Sequence, residues 1–215
     1  GRGRSNEVAG PAGLAAHADD LAAVLDHLGI EKIPVVGHSM GAFVSVVFAH
    51  RHPSRVESLL LVDGGLPLDV PAGMDADAVA DYVLGPTAAR LSMRFGSIDD
   101  YLEFWRPHPA FTQAWSPEIE SYFAYDLVED GSGMLRPATS YATMVDDTID
   151  MNTGSSLPEA LADLQHPTTL ITVPRGLQGE EPGLYAPEYL ERVLATYRSI
   201  EHTRLDDLNH YTIVM

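Results

Sequence analysis

The sequence predicts an α/β protein, with a mostly parallel sheet and a helical block inserted into it. Three observations carry this. Residues 14–63 alternate helix, strand, helix, strand, an order that calls for parallel strands joined by crossover helices. Residues 66–165 show helical spacing and no convincing strand signal. Strand signals then return at 167–173 and 202–205. With 215 residues, 45% of them hydrophobic, the chain can bury one sizeable core.

Gly10-Pro11-Ala12-Gly13 reads as a loop. Leu14 to Leu28 reads as an amphipathic helix, with Leu14, Ala18, Leu21, Val24, Leu25 and Leu28 on one face and Gly29 ending it. Ile33 to Val36 is a short buried strand. The run Ala42 to His50 is a helix that Pro53 stops. Val56 to Val62 is a second buried strand, closed by Asp63-Gly64-Gly65. In the inserted block, helical spacing covers 75–82, 86–95, 98–105, 117–127 and 141–149, punctuated by Pro, Gly and Asp. A third buried strand follows at 167–173, a helix at 187–197, and a short last strand before Asp206-Asp207-Leu208-Asn209-His210.

Composition excludes several functions. The formal net charge is -18, with 31 acidic against 13 basic residues, so the surface repels nucleic acid and anionic membranes. No apolar run is long enough to span a bilayer. There is no cysteine, which rules out disulfides, thiolate zinc sites and a cysteine nucleophile, and favours a reducing, cytoplasmic setting. No histidine pair has zinc-helix spacing and no H-E-x-x-H occurs, so neither a metal nor another cofactor is expected. Asp146, Asp147 and Asp150 read as the wet face of a helix.

The most informative stretch is Gly37-His38-Ser39-Met40-Gly41, a G-x-S-x-G between a predicted strand and a predicted helix. Such a turn lifts the serine hydroxyl clear of the sheet and aims the next backbone N–H, that of Met40, at a developing oxyanion. Gly37 and Gly41 are expected to be small because a Cβ at either would crowd the strand or the helix. A serine hydroxyl needs a base within hydrogen-bond reach, and His210, after the last strand, is the candidate.

These pieces resemble the α/β-hydrolase family over nearly the whole chain. Gly1-Arg2-Gly3-Arg4-Ser5 resembles the R-G-x-G-x-S loop after the fourth strand of that fold. Gly37 to Gly41 is similar to its elbow, and Asn209-His210-Tyr211 to the loop carrying its histidine. The resemblance implies a core formed by residues 1–65 and 166–215 and a cap formed by 66–165. It also implies that the first strands, with the His-Gly loop that gives a second oxyanion donor, lie outside this chain. About 50 to 100 upstream residues and a downstream helix are therefore expected. The family's usual acid position, after strand seven, is occupied here by Leu177. Some members carry the acid at the tip of strand six, where Asp63 stands, and Asp63 is the choice; Glu180 and Glu181 are its rivals.

The implied activity is a serine hydrolase cleaving an ester, thioester or lactone of a largely apolar small molecule. Ser39 is the nucleophile, His210 the base, Asp63 the orienting acid and Met40 N–H half of the oxyanion hole. Phe104, Trp105 and Phe123 of the cap are expected to contact substrate, so that their replacement alters selectivity more than melting temperature. The alternatives are C–C bond hydrolysis, cofactor-free oxygenation or perhydrolysis on the same scaffold, or a non-catalytic small-molecule binding protein. The sequence gives no oligomeric state.

Overall fold

The computed structural model describes residues 2–5, 10–71, 73–75, 78–79, 82–83, 85 and 89–215. Its sheet has four strands, β1 (Ile33–His38), β2 (Val56–Val62), β5 (Thr168–Thr172) and β6 (Ile200–Arg204), in the order β1-β2-β5-β6, all parallel. The first three are short runs rich in apolar or β-branched residues, whereas β6, Ile-Glu-His-Thr-Arg, buries only Ile200; each pair is joined by a crossover containing helix.

Helix α2 (Met40–Arg51) is the centre of the core. Its residues Ala42 to Ala49 are all buried. A helix apolar all round must be covered on every side. The sheet covers one side, and α1 (Leu14–Leu28) and α6 (Ser156–Ala162) cover others. On α1 the buried stripe is Leu14, Ala18, Ala22 and Leu25, while Leu21, Val24 and Leu28 are exposed. The face expected from the sequence was too wide: Ala22, not Leu21, turns inward, and the apolar excess lies outside the contact with α2. Gly29 ends α1 in the left-handed conformation, as a C-terminal glycine should.

The inserted block has its own core. Helices α3 (Ile98–Trp105) and α4 (Pro117–Tyr125) start on Ser97 and Ser116, whose side chains accept from the N–H groups of Asp100 and Ile119. Between them lie Tyr101, Trp105, Phe111, Ile119 and Phe123, all buried. Trp105 and Phe123 stack with ring centroids 4.4 Å apart. Contrary to the expectation of no strand, the block holds a hairpin of β3 (Leu127–Glu129) and β4 (Leu135–Pro137), paired antiparallel. Strands of three residues are too short to show alternation. The turn chemistry was nevertheless visible, because Asp130 accepts from Ser132 N–H and Oγ–H across a loop with glycines at 131 and 133. The hairpin also shortens the helix predicted over 117–127, which stops at Tyr125. The helix expected over 86–95 does not reach its end: Phe95 bridges to Leu135 instead. Parts of that helix and of the one expected over 75–82 fall outside the described residues, as does Gly1 of the opening motif.

Helix α6 follows α5 (Tyr141–Thr153), and its Leu157, Ala160 and Leu161 join the main core by packing on α2. One further correction concerns α5. Asp147 and Asp150 of α5 are not a wet face; only Asp146 is exposed. Asp147 Oδ1 accepts from Gly13 N–H at 2.7 Å, and Asp150 Oδ2 from Leu14 N–H at 2.7 Å. They supply the caps and the negative charge that the first turn of α1 lacks in its own sequence. Asp147 also binds the Arg2 guanidinium and His17. Burial alone would raise its pKa, but the hydrogen bonds from His17, Arg2 and Gly13 outweigh it and hold the carboxyl down at about 2.

The burial of Phe123 leads to a prediction. With its ring 2% exposed and packed on Trp105, Phe111 and Tyr101, Phe123→Ala should destabilise the protein by about 3–5 kcal/mol, the usual cost of such a cavity. A denaturant titration measures it. This reverses the sequence-based expectation that selectivity would move more than stability.

Candidate active site

Three chain segments meet at the carboxyl edge of the sheet. His38 of β1 is in register with Val62 of β2, so the residues that follow them, Ser39 and Asp63, leave adjacent strands side by side. Ser39 N–H bonds Val62 O at 3.0 Å, and Asp63 N–H bonds Ile171 O at 2.7 Å. Both then turn sharply. Ser39 has φ 53° and Asp63 φ 42°, the non-glycine residues with positive φ among those described. Backbone strain of order 1–3 kcal/mol at each is held by the surrounding sheet.

Two glycines make this close approach possible. A Cβ on Gly37 would come within 2.3 Å of Gly41 O, and one on Gly64 within 2.4 Å of Ser39 O. Gly41 differs from expectation: a Cβ there would meet open space. The crowding of the elbow is therefore borne by Gly37 and by Gly64 from the neighbouring strand.

The third segment is the loop after β6. His210 N–H bonds Arg175 O at 2.9 Å, beside a bridge between Arg175 and Asn209. Asn209 Oδ1 accepts from Tyr211 and Thr212 N–H, and its Nδ2 donates to Ala110 O in the inserted block at 2.8 Å. So positioned, His210 Nδ1 lies 2.7 Å from Asp63 Oδ2, and His210 Nε2 lies 3.0 Å from Ser39 Oγ. Asp63 and His210 are 0% and 2% exposed; Ser39 is half-buried. In the neutral tautomer with its proton on Nδ1, the imidazole donates to the carboxylate and accepts the serine hydroxyl. Met40 opens α2, so its N–H has no partner within the helix and lies at the positive end of the helix dipole.

The other carboxylates considered lie elsewhere. Glu180 turns back on its own loop, with Oε2 accepting from Gln178 N–H at 2.6 Å. The carboxylate that reaches His210 Nδ1 is that of Asp63. Trp105 and Phe123 line a cavity of about 320 Å³ that also reaches Tyr211, next to His210. Phe104 does not line it; 39% exposed, it packs edge-on to Phe95 and Trp105 on the outside of the aromatic cluster. Among the described residues no cluster of three or more His, Asp or Glu side chains could hold a metal ion.

One contact was not legible in the sequence. His38, inside the elbow, donates from Nε2 to the backbone carbonyl of His210 at 2.7 Å, and the two rings lie 4.7 Å apart. Burial, and then the nearby His210, push the His38 pKa below the ordinary imidazole value, so the ring is neutral at pH 7. Nothing in a G-H-S motif announces a partner 172 residues away. The sign of the pH dependence follows. A histidine whose folded pKa is depressed binds more protons unfolded, so its contribution to stability falls as pH drops below about 6.5. His38→Phe keeps the ring and cannot protonate. We expect its melting temperature to fall less than that of the parent between pH 7 and pH 5, measured by calorimetry.

Comparison with known proteins fits this geometry. Residues 3–97 match the sequence family described as alpha/beta hydrolase fold. Lipase LipV of Mycobacterium tuberculosis is 36% identical over 103 residues, covering 46% of this chain and 39% of that protein. A putative carbamate hydrolase, RutD, of Azorhizobium caulinodans is 41% identical over 64 residues, covering 30% of this chain and 24% of that protein. The chain thus spans well under two thirds of the length of either relative. The crystal structure of E-2-(acetamidomethylene)succinate hydrolase superposes with a TM-score of 0.74 at 20% identity, over 96% of this chain and 70% of that one. At that identity the likeness concerns the fold.

Proposed function

We propose that this chain, which has the α/β-hydrolase fold and matches that family over residues 3–97, is part of a serine hydrolase that cleaves an ester, thioester or lactone of a largely apolar small molecule through an acyl-enzyme on Ser39. The observation that carries this reading is the continuous relay from Ser39 Oγ through His210 to Asp63, at 3.0 and 2.7 Å.

Ser39 Oγ attacks the carbonyl carbon as His210 Nε2 takes its proton. The buried Asp63 carboxylate holds the tautomer with Nδ1 protonated and stabilises the imidazolium that forms. Met40 N–H, aided by the start of α2, receives the negative charge growing on the carbonyl oxygen. The imidazolium then protonates the leaving group, the carbonyl re-forms, and an acyl-enzyme remains. Water enters along the same path, with His210 again as base, and releases the acid. The half-buried Ser39 suits a reagent that must be reached by substrate and water alike, whereas a buried Asp63 keeps its charge from being screened. A lipase and a putative carbamate hydrolase among the relatives agree, by name, with hydrolytic chemistry. We read the inserted block as a cap over the carboxyl edge of the sheet, tied to the histidine loop by Asn209 and Ala110.

The test is pre-steady-state. A p-nitrophenyl ester in excess over the enzyme should release a burst of nitrophenolate equal to the enzyme present, followed by slower turnover limited by deacylation. A non-catalytic binding protein gives no burst.

A further inference from the structure

We infer that Asn209 is a positioning residue. Its side chain locks the loop that carries His210 onto the connection between α3 and α4, so the reactivity of Ser39 depends on how the inserted block is seated. This rests on the serine-hydrolase reading and adds to it a dependence of the chemical step on a contact remote from the reacting atoms.

The two ends of the Asn209 amide have different partners. Oδ1 accepts from Tyr211 N–H at 2.9 Å and from Thr212 N–H at 3.0 Å, which closes a local turn. An aspartate could close the same turn. Nδ2 reaches out of the loop and donates to Ala110 O at 2.8 Å, 99 residues earlier in the chain. Asn209 and Ala110 are both buried, and so is the bond between them. A buried amide left without its partners costs about 1–3 kcal/mol, so this side chain holds the two segments in one arrangement.

The Ala110 carbonyl is itself firmly held. Residues 106–116 join α3 to α4 through successive turns: His108 N–H bonds Trp105 O at 2.9 Å, Phe111 N–H bonds His108 O at 2.9 Å, and Ala114 N–H bonds Phe111 O at 3.0 Å. Phe111, next to Ala110, is fully buried, with its ring centroid 5.1 Å from that of Phe123 and 5.7 Å from that of Trp105. A shift of the aromatic cluster therefore carries Ala110 O with it. The residue on the other side of His210 meets the same segment, since the ring centroids of Tyr211 and Phe111 lie 4.8 Å apart. His210 thus stands between two residues that both bear on the inserted block. Its imidazole lies 2.7 Å from Asp63 Oδ2 and 3.0 Å from Ser39 Oγ. A displacement of about 1 Å in such a relay costs on the order of a hundredfold in rate.

The test separates the turn from the lock. Asn209→Asp keeps the Oδ1 acceptor and the shape of the side chain, but sets a carboxylate oxygen against Ala110 O where a donor stood. The readout is inactivation by a fluorophosphonate with a short alkyl group, measured in the intact protein on the alkaline plateau of its pH profile. There His210 is neutral in parent and variant alike, so the new carboxylate beside it does not change its protonation. The maximal inactivation rate should fall about a hundredfold in Asn209→Asp, with the half-saturating probe concentration unchanged. A side chain that only stabilised the fold would lower the melting temperature and leave the rate of the folded protein as it was. Should the aspartate variant not fold, Phe111→Leu, which loosens the seat of Ala110 and leaves Asn209 in place, should slow inactivation severalfold. A folded Asn209→Asp that reacts at the parent rate, a change in half-saturation alone, or an unslowed Phe111→Leu would each overturn the inference. The burst and the labelling of Ser39 in the parent protein report separately whether the serine-hydrolase reading holds.

Discussion

Replacing Ser39 by alanine should abolish ester turnover, with kcat falling on the order of a millionfold, the scale found when a serine hydrolase loses its nucleophile. The effect is large because His210 and Asp63 then have nothing to activate. Water could be recruited by the same base, but it would not be held at the position Ser39 Oγ occupies, 3.0 Å from Nε2. Stability should change little. The hydroxyl makes its one side-chain bond with His210, and the residue is half-buried. Alanine tolerates φ 53° no better than serine does, so the strain of the elbow is unaltered. Circular dichroism and a melting curve on the same preparation check the second half of this expectation.

Asp63→Asn should lower kcat about ten-thousandfold. An amide in this place can turn its NH₂ toward Nδ1, which forces the proton onto Nε2 and leaves the imidazole unable to accept from Ser39. The negative charge that would stabilise the imidazolium is lost as well. The carboxylate is 0% exposed and its Oδ1 lies 3.4 Å from Val173 N–H, so the amide oxygen can replace that acceptor and the fold should persist. The pH–rate profile carries the signature of the mechanism: with the wrong tautomer dominant, the variant should regain activity at alkaline pH more steeply than the parent. Glu180→Gln, by contrast, should leave the burst intact, because that carboxylate caps its own loop.

The parts of this molecule that were legible in its sequence are those encoded locally. Strand β1 opens on the short apolar run Ile33 to Val36 and runs into the elbow at Gly37 and His38, and the elbow is a five-residue signature whose chemistry dictates its backbone. His210 could be nominated because the last strand had to end at the same sheet edge as Ser39. Asp63 was harder, since an aspartate before two glycines is an ordinary strand ending; what distinguishes it is the register of His38 with Val62, which sets its backbone beside Ser39. Other features depend on partners far along the chain. Asp147 looked like a surface carboxylate because nothing in helical periodicity reveals that α1, 134 residues earlier, needs an anion at its start. The need for Gly64 comes from Ser39 O on the adjacent strand, and the freedom at Gly41 from an open space that no motif describes. The β3–β4 hairpin has too few residues per strand to produce a period.

The measurement that bears most directly on the central claim is site mapping after reaction with a fluorophosphonate probe. The probe phosphonylates a serine only where a neighbouring base activates it, so it reads the relay itself and not the substrate preference. After digestion and mass spectrometry, the added mass should lie on the peptide carrying Ser39 and nowhere else. Labelling should disappear in Ser39→Ala and slow sharply in Asp63→Asn. A label on another serine, or none on a folded protein under conditions that saturate known serine hydrolases, would contradict the account.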